Sequence, residues 1–314
     1  MIGAGRRRLM QYPAGRWLGA GAARLRHRAY ARLERAGWHV TRNGYYSPVP
    51  DVGRLPASMW TRESKLIGVD LREEAQLELL GELEVYRGEY EQLPAEPTAD
   101  PHQFHVRNEA FGPVDAGVLY ALLRWVKPAR LVEVGTGYST LLAAQALARN
   151  ATDGRPAQHW AIDPWPFQWV QGSFPTGVQS IAKPVQEVPL STFEALQAGD
   201  VLFLDSSHVV KVGSDVVFEV LEVLPRLRPG VIVHVHDIFF PREYDRRWIE
   251  DHHRFWNEQY IVHAFLAFND SFEVLWSSYL HHLKRPERLR EAFPAYRDGL
   301  PHIYPLSFWM RRTA

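Results

Sequence analysis

Apolar and polar positions change character part-way along the chain. Residues 45–65 are interrupted by Pro48, Pro50, Gly53 and Pro56, which predicts an irregular connector. Leu71 to Tyr90 has helical spacing with many acids, and Pro94, Pro97 and Pro101 then make a linker. After Asp115 the pattern becomes regular. Val118, Leu119, Leu122, Leu123 and Val126 form one apolar helical stripe that Pro128 ends. Short apolar runs from Leu131 to Val134, Trp160 to Ile162, Val201 to Leu204 and Val231 to Val235 predict strands. Leu141 to Leu147 and Asp215 to Leu227 predict helices, the latter with Val216, Val217, Val220, Leu221 and Leu224 turned inward. Ile261 to Phe268 is apolar enough for a strand. However, Tyr260, Ile261, Ala264, Phe265 and Phe268 recur at helical spacing, so a helix is predicted. Phe272 to Trp276 and Ser307 to Met310 complete the predicted strands. Short, nearly all-apolar strands alternating with helices indicate an α/β fold whose mostly parallel sheet is covered on both faces.

In such sheets ligands lie beyond the carboxyl ends of the strands. The distinctive residues fall there. Val132-Glu133-Val134-Gly135-Thr136-Gly137-Tyr138-Ser139-Thr140 reads as a strand end, two glycines and a helix start. Glycine permits a tight turn and close approach of a ligand, and the helix start offers free N–H groups. Glu133 is placed to order this loop and to attract a cationic amino group. Asp163 follows the second strand, where an acid accepts hydrogen bonds from ribose hydroxyls. It lies 30 residues beyond Glu133, more than the usual ~20, and the turn-rich stretch from Asn150 to Pro156 accounts for the excess. The third glycine of the dinucleotide fingerprint is replaced by Thr140. That argues against a pyrophosphate and for a nucleoside carrying an amino acid.

Composition narrows the field. The chain has 314 residues, 46% of them hydrophobic, with 36 basic and 36 acidic side chains. A substantial core is available, and no global field favours nucleic acid. There is no cysteine, which excludes thiolate catalysis, disulfides and Cys-ligated metal and fits a reducing compartment such as the cytoplasm. No apolar run approaches the length of a membrane span. Residues 1–44 are different: they hold ten arginines and one acid, Glu34. A solvated basic helix is the plainest reading. A targeting peptide or a helix lying on a membrane surface stays open. The expected organisation is a basic helical segment over 1–44, a helical and irregular lid or linker over 45–105, and a ligand-binding domain over 106–314.

The glycine loop resembles motif I of class I S-adenosylmethionine-dependent methyltransferases. The wider chain is similar to a bacterial branch that includes macrocin and cephalosporin-cluster O-methyltransferases. The stretches that carry the resemblance are NEAFGPVDA (108–116), LVEVGTGYST (131–140), VLFLDSSH (201–208), LRPGVIVHVHDIFFP (227–241) and NEQYIVHAFLAFNDSFEVL (257–275). It implies a Rossmann-like sheet of seven strands and an S-adenosylmethionine-dependent methyltransferase, EC 2.1.1.-. It also implies that Glu133, Gly135, Thr136 and Gly137 cradle the methionine part of the cofactor, that Asp163 holds its ribose, and that Gln186 and Glu187 lie near adenine.

Two further strand ends carry reactive groups, Asp205-Ser206-Ser207-His208 and His234-Val235-His236-Asp237. A hydroxyl is a poor nucleophile while neutral, so a base or a metal is expected beside the methyl donor. His208 and His236 are the candidate bases, titrating near neutrality. Asp205 and Asp237 are hard oxygen ligands suited to a divalent ion. In related metal-dependent O-methyltransferases a carboxylate stands where this chain has His236, which leaves magnesium, a transition metal and metal-free base catalysis all open. His234 is expected to pack and hydrogen-bond under a helix, and Asp115 to cap the helix after it. Tyr45, Tyr46, Phe104 and Phe111 are expected in a lid. Trp160, Trp165, Phe167 and Trp169 are expected as core or as stacking surfaces. The expected reaction is O-methylation of a hydroxyl on a small molecule or glycan. Alternatives are a nicotinamide-dependent oxidoreductase and a non-enzymatic binding module on the same sheet.

Overall fold

The computed structural model describes residues 20–166, 174–297 and 304–314. Phe167 and Trp169 lie outside them. The chain forms two compact units, 1–55 and 56–314. In the first, a helix spans Ala20–Arg35, and the hydroxyl of Tyr30 lies 3.1 Å from Nε2 of His39. Tyr45 and Tyr46, expected in a lid, pack edge to face with each other at 5.3 Å. Among the described residues no helix is long and apolar enough to cross a membrane.

The second unit is built on a sheet in the order β3-β2-β1-β4-β5-β7-β6. The strands are β1 (Arg130–Val134), β2 (Gln158–Ile162), β3 (Val178–Ile181), β4 (Val201–Leu204), β5 (Ile232–Val235), β6 (Phe272–Ser277) and β7 (Phe308–Arg312). The first five run parallel, and β7 lies antiparallel between β5 and β6. This is a Rossmann-like, mostly parallel seven-stranded sheet with helices on both faces. The order reverses between β1 and β4, so the carboxyl ends of those two strands flank the switch point where ligands bind.

Alternation along each strand divides the core in two. Leu131, Val201, Phe203 and Ile232 face the helices Pro113–Val126 and Tyr138–Thr152. Val132, Val134, Leu202, Leu204, Val233 and Val235 face the other layer, which contains Val216, Val220, Val223, Val262 and Leu266. Phe104 and Phe111, expected in the lid, are instead fully buried in the first cluster. Phe104 meets Tyr138 edge-on, and Phe111 packs against Phe203 and His236. Both aromatic rings are worth more in the core than over solvent.

Two local expectations are corrected. The helix from Asp215 is α-helical only to Phe218, then passes through a π turn (Glu219–Val223) and a 3₁₀ turn (Leu224–Arg226). The wider turn shifts the inward stripe by a residue. Val223 is therefore buried, and Leu221, expected inside, is 54% exposed. Asp115 caps nothing. It sits inside the helix Pro113–Val126, and its carboxylate accepts hydrogen bonds from the amides of Leu306 (2.7 Å) and Ser307 (3.0 Å), fixing the approach to β7.

Candidate active site

The glycine loop leaves β1 at Val134. Gly135 has φ +87°, and a Cβ there would meet the carbonyl oxygen of Asp205 at 1.9 Å, so only glycine lets the loop pass the end of β4. The amide of Gly135 donates to Ile162 O, and the amide of Asp205 to Val134 O, each at 2.9 Å. The ends of β1, β2 and β4 are thereby stitched together. Thr140 Oγ1 accepts from the Gly137 amide at 3.0 Å and closes the first turn of the helix Tyr138–Thr152.

The two predicted carboxylates brace this loop from opposite sides. Asp163 Oδ2 accepts from the amide of Thr136 at 3.0 Å and from its hydroxyl at 2.7 Å, while Oδ1 accepts from the amide of Trp165 at 2.8 Å. Glu133 is buried on the other face of the sheet. One of its oxygens accepts from Ser139 Oγ at 2.7 Å, and the other lies 3.2 Å from His159 Nε2. Glu133 thus orders the loop from within and is not among the residues lining the adjoining cavity.

That cavity has a volume of about 400 Å³ and opens at the switch point. Gly135, Thr136 and Asp163 line one side, Gln186 and Trp165 another, and Asp205, Ser206 and Ser207 the floor. Its size falls within the range of small-molecule sites. Trp165 is 80% exposed at this cavity. Trp160 instead donates its indole N–H to Gln179 on the neighbouring strand. A larger cavity of about 640 Å³, lined by Tyr90, Leu93, Val106, Pro113 and Phe293, shares no residue with it. Convergent polar groups, rather than volume, single out the loop cavity as the candidate site.

The ends of β4 and β5 bring three predicted residues together. His208 Nε2 lies 3.3 Å from Asp205 Oδ1 and 3.3 Å from Asp237 Oδ2. One ligand atom from each of the three falls within 4.8 Å of the others. Two carboxylates and an imidazole are a donor set suited to a divalent cation, so the residues fit the metal expected from the sequence. His208 and Asp237 both hold left-handed backbone, with φ of +59° and +58°. Such strain in residues other than glycine persists where the surroundings fix it, commonly at functional sites.

Electrostatics follow from this crowding. Burial opposes charge on His208, but hydrogen bonds to Asp205 and Glu258 and the Asp237 carboxylate outweigh it and hold its pKa well above the ordinary value. Burial also opposes charge on Asp205, yet the neighbouring His236 and His208 bring it down to about 2. Asp237 is raised, because burial is only partly offset by the same two histidines. In the metal-free protein the imidazolium of His208 thus stands where a cation would.

His236 lies apart from this triad. Its Nε2 is 4.0 Å from Asp237 Oδ1, and its buried Nδ1 has no hydrogen-bond partner. Burial lowers its pKa, but Asp237 and Asp205 raise it by more. His234 behaves as expected of a packing residue: it stacks on Phe203 at 3.8 Å and pairs with Ser307 Oγ at 3.0 Å. The sequence reading missed Glu258, whose Oε2 lies 2.8 Å from His208 Nδ1. It also missed Trp256, whose ring lies 4.3 Å from the His208 ring. Asn257 and Glu258 open one of the stretches carrying the resemblance, which was the available signal.

Residues 132–238, from the middle of β1 past the end of β5, match a family model described as a methyltransferase domain. Over this stretch the chain is similar to that family. The match spans Asp163, Asp205, His208 and Asp237. An uncharacterized protein of Archaeoglobus fulgidus is 29% identical over 164 residues, covering 49% of this chain and 72% of that protein. Among solved structures, the SAH-bound methyltransferase PaMTH1 of Podospora anserina is similar at 15% identity and TM-score 0.40, over 88% of this chain and all of that one. The O-methyltransferase of Bacillus cereus in complex with SAH is similar at 12% identity and TM-score 0.35, over 76% of this chain and 91% of that one.

Proposed function

We propose that the chain methylates a hydroxyl group of a small molecule or glycan, with a divalent cation held by Asp205, His208 and Asp237. One observation carries the reading: Asp205 belongs both to the wall of the loop cavity and to the three-residue cluster. Methyl donor and acceptor would therefore meet across a single side chain. S-adenosylmethionine supplies a methyl group already activated on a sulfonium. Thr136 and Asp163 would fix its nucleoside end, and Gln186 with Trp165 would border its base. A cation in the cluster would supply Lewis acidity that favours loss of the acceptor's proton.

His208 is then a ligand, since both its nitrogens already face carboxylates. His236, with its free and buried Nδ1, is the group left to receive the acceptor's proton. Holding donor and acceptor in line is the remaining task, and the rigid strand ends suit it.

The test is calorimetric titration with S-adenosylmethionine and with NAD(H), followed by methyl transfer to a panel of hydroxylated acceptors with and without EDTA. Cofactor binding and EDTA-sensitive transfer are expected. Dinucleotide binding without S-adenosylmethionine binding would overturn the reading in favour of an oxidoreductase. Cofactor binding without transfer to any hydroxyl would remove the O-methylation.

A further inference from the structure

The inference here rests on reading Asp205, His208 and Asp237 as a metal centre. We propose that Glu258 is the positioning residue of that centre, accepting the Nδ1–H of His208 so that Nε2 is presented to a cation between Asp205 and Asp237. The two groups are 2.8 Å apart and both are buried, Glu258 at 2% exposure and His208 at 6%. A carboxylate only accepts, so the ring nitrogen facing it carries the hydrogen, and the lone pair of a neutral imidazole is left on Nε2. That nitrogen is the one lying 3.3 Å from each aspartate. A carboxylate behind a ligating histidine fixes both the ring orientation and the tautomer.

Neighbouring residues extend the same function. The amides of Asn257 and Glu258 both donate to the carbonyl of His208, at 3.0 and 3.2 Å, and so hold its left-handed backbone. Asn257 Oδ1 accepts from the Val210 amide at 2.5 Å. Gln259 serves the other strand end. Its Oε1 accepts from the Phe239 amide at 3.1 Å, its Nε2 donates to Glu243 Oε1 at 3.1 Å, and its amide donates to the Tyr244 hydroxyl at 3.1 Å. Three consecutive residues at the start of the helix Glu258–Leu266 therefore fasten the loops after β4 and β5, the two that carry the ligands.

The test compares the full-length wild type with Glu258→Ala and Glu258→Gln. The readouts are Mn²⁺ affinity by calorimetry and SAH affinity in the same preparations. Glu258→Ala should weaken Mn²⁺ binding by about 10- to 100-fold and leave SAH affinity within about twofold, because the loop cavity does not include Glu258. Glu258→Gln retains an acceptor oxygen for Nδ1–H and should recover most of the loss. Unchanged Mn²⁺ affinity in Glu258→Ala overturns the proposal, as does a parallel loss of SAH binding, which would mark a general folding defect. No recovery in Glu258→Gln with SAH binding intact also overturns it. A wild type that binds SAH but no Mn²⁺ removes the metal centre and this role together. A wild type that binds Mn²⁺ with Glu258→Ala unaffected removes this role alone.

Discussion

Asp163 holds Thr136 twice, by the backbone amide at 3.0 Å and by the hydroxyl at 2.7 Å, and thereby joins the end of β2 to the glycine loop. The same carboxylate faces the cavity, so a ligand there meets a group already oriented. Asp163→Ala should raise the dissociation constant for S-adenosylmethionine by about 10- to 100-fold, the range for losing hydrogen bonds to a charged group. Thr136→Val, which keeps the amide bond, should cost less. Calorimetry on the two variants checks the order; equal affinities for wild type and Asp163→Ala would exclude a role in binding.

Gly135→Ala places a Cβ against the carbonyl of Asp205 at a backbone φ of +87°. Neither the strand end nor the conformation can yield without disturbing β4. The variant should lose more than about 1 kcal/mol of stability and bind S-adenosylmethionine weakly even at temperatures where it stays folded. Thermal melts with and without ligand measure both effects.

Asp237→Asn removes one charge from the cluster without touching the loop cavity. Methyl transfer should fall at least about 100-fold, as expected when metal-assisted charge stabilisation is lost, while S-adenosylmethionine still binds. EDTA should reproduce the loss in the wild type and have little further effect on the variant. Turnover unaffected by both treatments would leave base catalysis as the account.

His236→Asn tests that account directly. If His236 receives the acceptor's proton, kcat should drop by about 10²- to 10⁴-fold with Mn²⁺ and cofactor affinities nearly unchanged. Rates equal to wild type would release His236 to a packing role beside Phe111.

The raised pKa of His208 has a signed consequence for the metal-free protein. The folded state binds this proton more tightly than the unfolded chain, whose histidine titrates near ~6.5. Its stabilisation is therefore complete below that pH and is lost as the pH rises through the folded value. In EDTA the Tm advantage of wild type over His208→Gln should shrink from pH 6 towards pH 9. A constant or growing difference would contradict the imidazolium between the two aspartates.

Much of this architecture is legible in the chain. The apolar runs of β1, β2, β4 and β5 announce a buried parallel sheet, and the polar residues just beyond them mark the site. β3 escapes because Val178–Ile181 is a half-exposed strand at the sheet edge with no apolar run. The periodicity of residues 215–227 misleads because the π turn inserts a residue into the stripe. Phe268 misleads because it lies beyond the end of its helix, with a left-handed backbone and 81% exposure. The partnership of Glu258 with His208 spans 50 positions of sequence, and no local rule connects them. His208 stands out in the sequence as a candidate beyond a strand end, but whether it is suited to be base or ligand depends on what faces each ring nitrogen, and only folding decides that.

β7 is the last of the seven strands in chain order, yet it sits between β5 and β6. During synthesis, β6 emerges with no strand to join, and the hydrogen bond from the Ile238 amide to Leu306 O cannot form until the final strand arrives. The loop bearing Asp237 therefore gains its last support only after the other strands have been made. A nascent chain halted before Phe308 would expose two unpaired strand borders, inviting intermolecular pairing. Support for the Asp237 loop and cover for the facing borders of β5 and β6 thus both depend on the same strand.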